Sequence, residues 1–422
     1  MDDPDVLVIG GGVAGLFCAY HLRRAGATVA VVERGEVGGP QSCSAGNTGF
    51  VGTHGAAPLA APGIFRTLLR PEGPLYVRPR WDGELLRWLW HFRRVADDAG
   101  VRAAFPLLLD LKKHSLEILR KLCASGGLAE TFAAPGMLVV YRSPREFDKA
   151  CRSVERATDR GVPLRVLDPA EVSALEPDVE LDVRGAIHNE EGAYLRVPEF
   201  LGELARELAE SGVDIQPHSE VLDLEVAGRD VRRVRTTRGE FRPGQVVLAA
   251  GAWTSALARK LDIDLVLQPL KGYAVTVEGP VPRRPLTLGE PTIAIAPAIA
   301  PAGDRLRIGG IRQLAGMDRT TSHDRVDGML RTVRRYLPRL ERTQPVEVWT
   351  GLRPCTPDSL PFIGRADRYD NVYLACGHGH IGMGLAPAGG RLLAQLVAGE
   401  RPDLDPAPFR VGRYSKEDSH GG

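Results

Sequence analysis

Three glycines at the end of a short apolar run make the first chemical statement of this sequence. Val6-Leu-Val-Ile9 is apolar throughout and rich in β-branching, as in a strand buried on both faces. It runs into Gly10-Gly11-Gly12-Val13-Ala14-Gly15, a G-x-G-x-x-G arrangement. Val13 to Ala25 carries helical spacing through Leu16, Phe17, Tyr20 and Leu22, Gly26 supplies the stop, and Thr28 to Val32 reads as a second strand ending at Glu33. That unit binds the pyrophosphate of a dinucleotide. Gly10 permits the tight turn, Gly12 lets the backbone approach the phosphates, and Gly15 lets helix and strand pack closely. The helix start adds free N–H groups and a positive dipole end. Glu33 stands where an acid accepts hydrogen bonds from two ribose hydroxyls and repels a 2′-phosphate, and Arg34 is counted with it. FAD and NAD share this unit. No second G-x-G-x-x-G inside a βαβ unit of its own is visible after Gly15, so the sequence implies one dinucleotide and electrons that arrive from an organic substrate.

Further segments carry a resemblance. They are Ser42-Cys-Ser-Ala-Gly-Asn-Thr-Gly49, Ala57-Pro-Leu-Ala-Ala-Pro-Gly63, Val246-Val-Leu-Ala-Ala-Gly-Ala-Trp253, Gly351-Leu-Arg-Pro-Cys-Thr-Pro-Asp358, Leu360-Pro-Phe-Ile-Gly364 and Gly377-His-Gly-His-Ile-Gly-Met-Gly-Leu-Ala-Pro387. In this order the chain resembles the D-amino-acid oxidase superfamily of FAD enzymes over nearly its whole length. Within it the chain is most similar to D-amino-acid dehydrogenases, with glycine oxidase and sarcosine oxidase more distant. The resemblance implies an α/β fold: a discontinuous Rossmann-like FAD-binding domain from 1–58, 193–257 and 346–413, and an α+β substrate domain with a mixed or antiparallel sheet from 59–192 and 258–345. A tail, 414–422, is expected to be disordered. It also implies that FAD is held by Gly10, Gly12, Val13, Ala14, Gly15, Glu33, Arg34, Ser42, Ser44, Asn47, Thr48, Gly49, Val221, Ala250, Gly251 and Trp253. The glycine-rich loop Gly377, His378, Gly379, Ile381, Gly382 and Met383 would face the flavin pyrimidine edge, where amide donors and a helix start stabilise the charge left by reduction.

For the substrate, Arg353 matches the arginine that glycine oxidase-like enzymes place in G-L-R-P to clamp a carboxylate. A guanidinium suits that work because two parallel N–H bonds fix both position and rotation. His380 stands where glycine oxidase has a second carboxylate-side arginine. Arg353, Tyr273 and His380 are therefore the expected catalytic set, with His54 and Tyr194 added as substrate contacts. As residue types, the histidines read first as loop structure and second as ligand contacts, and the two tyrosines read equally as core. Arg307 replaces the lysine that assists reaction with oxygen in sarcosine oxidase, which favours a quinone or an electron-transfer protein as acceptor. Gly351 stands where sarcosine oxidase links its flavin through cysteine, so FAD is expected to be non-covalent. The implied reaction is oxidation of a small amino acid, D-configured by resemblance, through hydride transfer from Cα to the flavin, giving an imino acid. D-proline, D-hydroxyproline or another secondary amine is the alternative substrate, and an electron-transfer flavoprotein subunit a different class of answer.

The elements that must position these groups are ordinary ones. The 422 residues carry 54 basic and 53 acidic side chains, a formal charge of +1, so no global field draws the chain to nucleic acid. Six scattered cysteines form no C-x-x-C pair, and no metal cluster stands out. Met1-Asp2-Asp3 leads straight into the first strand without an apolar leader, and the cytoplasm is the expected compartment. Leu85-Leu-Arg-Trp-Leu-Trp-His-Phe92 reads first as a packed helix and second as a peripheral membrane contact.

Overall fold

The computed structural model describes residues 3–53, 55–70, 75–158, 162–289, 292–298 and 305–414. The elements that frame the site are, in chain order, β1 (Val6–Ile9), α1 (Val13–Arg24), β2 (Val29–Val32), α2 (Gly83–Val95), α3 (Asp98–Leu122), α4 (Val197–Glu210), β3 (Asp214–Gln216), β4 (Gln245–Leu248), β5 (Gln268–Glu278), β6 (Arg305–Leu314), β7 (Pro345–Cys355), β8 (Phe362–Arg365), β9 (Val372–Cys376) and α5 (Gly382–Ala398).

All four residues of β1 are buried because the strand is central. The six-stranded sheet runs β3-β2-β1-β4-β9-β8, with only β8 antiparallel to its neighbour. A strand covered on both faces has no polar side, which accounts for the unbroken apolar run. One face packs on helices α1, α3, α4 and α5 through Phe17, Leu108, Leu111, Phe200, Leu204 and Leu393. The other meets a small antiparallel sheet of Val221–Ala227, Asp230–Thr236 and Gly239–Phe241.

A mixed sheet forms the second half: β7, β5 and β6, then Thr292–Ala298, Leu286–Gly289, Met137–Tyr141, Gly185–Asn189 and Leu164–Leu167, with Tyr76–Val77 beside β6. Two assignments change here. Residues from 346 were expected in the nucleotide half, yet β7 pairs antiparallel with β5 from Pro345↔Val277 to Cys355↔Gln268, and the antiparallel edge beside β9 is filled by β8 instead. Likewise α3, inside the stretch 59–192 assigned to the substrate half, lays its apolar face into the nucleotide core. It also repairs α5. Pro387 lacks an N–H and interrupts the ladder of that helix, and Ser115 Oγ on α3 accepts the next free N–H, from Ala388, at 3.1 Å.

Of α2, Leu85, Trp88 and Phe92 are buried, as spacing by three and four residues requires, while Leu86 and Trp90 face solvent. Among the described residues one helical stretch, Gly379–Ala398, is long and apolar enough to cross a bilayer, and 67% of it is buried inside the protein. Tyr414, expected at the head of a loose tail, instead packs edge-on against Phe362, with ring centroids 6.0 Å apart, and against His91. The rest of that tail lies outside the described residues.

Candidate cofactor and substrate site

The carboxyl ends of β1, β2, β4 and β9 open into a cavity of about 310 Å³, the place where open α/β sheets bind ligands. Gly10, Gly12, Val13 and Ala14 line it at the start of α1. A β-carbon on Gly15 would lie 1.8 Å from the Gly10 carbonyl oxygen, so the helix can sit this close to β1 only with glycine there. Gly12 instead faces the open cavity, with nothing but Ser44 Oγ within 3.4 Å of where its β-carbon would stand. Ser44 Oγ accepts the Val13 N–H at 3.1 Å, and Ser42 Oγ accepts the Ser44 N–H at 3.2 Å, tying the loop after residue 40 to the helix start. Trp349 of β7 fastens that loop from the other half: its ring lies in the space left by Gly46 and Gly351, and its indole N–H donates to the Pro40 carbonyl at 2.8 Å.

Glu33 accepts N–H bonds from Gly11 at 2.7 Å and Gly35 at 3.0 Å. A carboxylate has about four acceptor sites, so sites remain for a ribose. Arg34 lies 3.6 Å over the Trp253 indole, a cation–π stack that makes one flat wall. Val221, Ala250 and Gly251 complete this end, and Ser42, Asn47, His378, Gly379, Gly382 and Met383 line the rest, as expected from sequence. Gly49, Gly377 and Ile381 do not line it. The two glycines hold left-handed turns, at φ of 78° and 85°, and Ile381 packs against the main core. Gln41, Cys43, Ser219, Glu220 and Lys260 also line the cavity and have no local signature that would have found them.

Arg353 belongs to this cavity and to a second, of about 80 Å³, that it shares with His380, Asn47, Thr48, Gly309, Gly310 and Arg312. The guanidinium reaches that position by crossing β5 where Gly272 leaves a gap: a β-carbon there would lie 1.6 Å from Arg353 Nη1. Its hydrogen bond in the protein goes to the Ile311 carbonyl at 3.3 Å. Sequence reasoning missed Arg312, because what aims it is a β-bulge. Lys271 pairs with Gln313 and Tyr273 with Gly310, so Ile311 and Arg312 stand opposite the single residue Gly272. Ile311 adopts φ of +58°, a strained conformation for a β-branched residue, of the kind that persists where surrounding structure over-determines it.

Charge at this end is one-sided. Burial, reinforced by Arg312, Arg353 and Lys112, holds the His380 imidazole well below its ordinary range, and burial pushes His378 down to about 4. Both histidines are neutral at pH 7. Burial also lowers Lys112, to about 8, and Arg312, to about 10, the latter with help from the Arg353 charge. Burial pushes the thiols the other way, Cys43 to about 11 and Cys355 to about 12.

Several expected contacts fall elsewhere. Tyr273 is fully buried in the core of the mixed sheet, and Tyr194 is buried in a small sheet between Phe50 and Ala133; neither lines either cavity, so both are core aromatics. His54 lies outside the described residues. Arg307 donates to the Ala45 carbonyl at 2.6 Å and to Glu347 at 3.0 Å. Among the described residues no group of three or more His, Cys, Asp or Glu side chains is placed to hold a metal ion.

Residues 5–396 match the family model described as FAD dependent oxidoreductase, DAO. The chain belongs to that family. Its relatives include a D-amino acid dehydrogenase of Methylobacterium radiotolerans, 33% identical over 97% of this chain and 99% of the relative. Another, from Paramagnetospirillum magneticum, is 35% identical over 97% and 99%. Among solved structures, glycine oxidase from Geobacillus kaustophilus superposes with a TM-score of 0.73 at 25% identity, covering 97% of this chain and 98% of that one. An L-proline dehydrogenase from P. horikoshii shares the fold, with a TM-score of 0.72 at 20% identity over 99% of both chains. FAD, the cofactor of the family, suits the larger cavity: Gly12 leaves open the space that phosphates need, Glu33 keeps acceptor sites free, and the amides of Gly382 and Met383 stand at an uncapped helix start.

Proposed function

We propose that this protein oxidises the Cα–N bond of a small amino acid, D-configured, and passes the electrons to a quinone or an electron-transfer protein rather than to oxygen. The observation that carries the reading is Arg353, whose guanidinium lines both the nucleotide cavity and the smaller one, where it would meet a carboxylate beside the cofactor. When bound, FAD supplies the two-electron oxidant, and water hydrolyses the released imino acid to a keto acid and ammonia. The chain supplies grip and charge. Arg353 fixes the carboxylate through parallel N–H bonds. The cations around His380 disfavour a substrate ammonium, so the amine is held in its neutral form and its proton goes to solvent. No Asp or Glu lines the small cavity among the described residues, consistent with chemistry that needs positioning more than a general base.

The protonated thiols of Cys43 and Cys355, with glycine at 351, support non-covalent FAD. Arg307, tied to Glu347 and Ala45, supports an acceptor other than oxygen. All six cysteines are unpaired, which fits a reducing compartment, and exposed Leu69, Trp81, Leu86 and Trp90 support peripheral contact with a membrane that holds the acceptor. The test is anaerobic mixing of the yellow protein with a panel of D- and L-amino acids. Loss of flavin absorbance near ~450 nm is expected with D-amino acids. A flavin that no amino acid bleaches would refute the reading, and reoxidation by oxygen as fast as by a quinone would refute the acceptor.

A further inference from the structure

Two guanidiniums open onto the 80 Å³ cavity, and the protein neutralises neither. Arg353 spends one hydrogen bond on a carbonyl, which carries no net charge. Arg312 has no hydrogen-bond or ion-pair partner among the described residues. A third cation, Lys112 of α3, is 2% exposed and equally unpartnered, with Nζ 3.1 Å from where a β-carbon on Gly384 would stand in the first turn of α5. That helix end is itself positive and offers the ammonium nothing. The nearby titratable groups are His380 and the thiols of Cys43 and Cys355, all uncharged at pH 7, and no carboxylate lines the cavity among the described residues. Lys112 is buried and the two arginines are half-buried against the cavity; cations so withdrawn from solvent persist where something compensates them, so this cluster is suited to receive anions.

An amino acid with a plain side chain brings one carboxylate, which Arg353 takes. Even with Lys112 assigned to the pyrimidine end of FAD, Arg312 is left over, and a strained bulge is maintained to aim it. We propose that the substrate carries a second carboxylate, held by Arg312: an acidic D-amino acid of aspartate or glutamate size. Gly309 and Gly310 line the same cavity beside that guanidinium, with Thr48 packed on the first and Met329 and Ile293 on the second. The inference rests on the amino-acid reading above.

D-aspartate and D-asparagine are nearly isosteric, so their comparison isolates the charge. The expected kcat/KM ratio, aspartate over asparagine, is at least ~30, and in Arg312→Met it falls at least ~10-fold, the scale of one desolvated carboxylate–guanidinium pair. Should the variant not load flavin, titration of the wild-type holoenzyme decides. Succinate is expected to perturb the flavin spectrum at a concentration at least ~10-fold below that needed by butyrate. Bleaching by D-asparagine or D-alanine as readily as by D-aspartate, or equal binding of mono- and dicarboxylates, would overturn the second-carboxylate claim while leaving the D-amino-acid reading intact. It would mean that both arginines grip one carboxylate. A flavin that no amino acid bleaches would sink the underlying reading instead.

Discussion

The two ends of the active cleft are made by different means. At the nucleotide end, Gly10 to Gly15 and Glu33 are close in sequence, and the working atoms are mostly backbone amides placed by a strand, a turn and a helix. At the substrate end, Arg353 comes from β7, Arg312 from a bulge in β6, His380 from the loop before α5 and Lys112 from α3. Here the working atoms are side-chain termini, each aimed by a gap or kink in a neighbouring element. Local geometry therefore specifies what the first end binds, and tertiary packing specifies what the second end binds. The first should fail all at once when a turn is altered, and the second should fail by degrees.

The sharpest test of that contrast is Gly12→Val. A branched side chain would fill the space facing the phosphates while β1 and α1 remain paired with their neighbours, so the protein should fold, by circular dichroism, and emerge colourless. A yellow variant of normal stoichiometry would mean that the nucleotide end tolerates local change. Arg353→Met should keep its flavin and lose about 2–4 kcal/mol of transition-state binding for carboxylate substrates. Unchanged steady-state constants would remove Arg353 from the substrate end. Smaller still is an effect of pH at the seam between the ends. His378 sits at about 4 in the folded chain against an ordinary 6.5, so between those values the unfolded chain binds more protons. Stability is thus greatest above pH 6.5 and declines on acidification towards 4, by on the order of 2–3 kcal/mol from this histidine. His21, pushed to about 4 chiefly by burial, adds in the same direction. Urea midpoints measured across this range should slope less in His378→Gln, and an unaltered slope would show that the imidazole is not buried as described.

How much was legible follows the same division. The strand, glycines, helix and acid of the first forty residues signal one another within a few turns of chain, and the larger cavity is lined by most of the residues so identified. The bulge at Ile311 is invisible in a sequence whose register is known only once β5 and β6 are paired, and Arg312 was hidden with it. Tyr273 and Tyr194 were ambiguous by type, since an aromatic in a strand packs into a core or walls a pocket with the same hydropathy, and both went to the core. Strand β7 falls in the stretch 346–413 that the resemblance places in the nucleotide half, but its 11 residues pair in the other sheet, from which Trp349 and Arg353 reach across.

Trp349 gives this arrangement a temporal consequence. The loop that must close over the phosphates is pinned by an indole N–H bond spanning 309 positions of chain. A ribosome releases the glycine turn long before the latch for the neighbouring loop, which follows Pro40 by 309 positions. Contacts so distant in the chain form late. Acquisition of the prosthetic group accordingly belongs to the end of folding, and a nascent chain halted before β7 should leave the dinucleotide exchangeable.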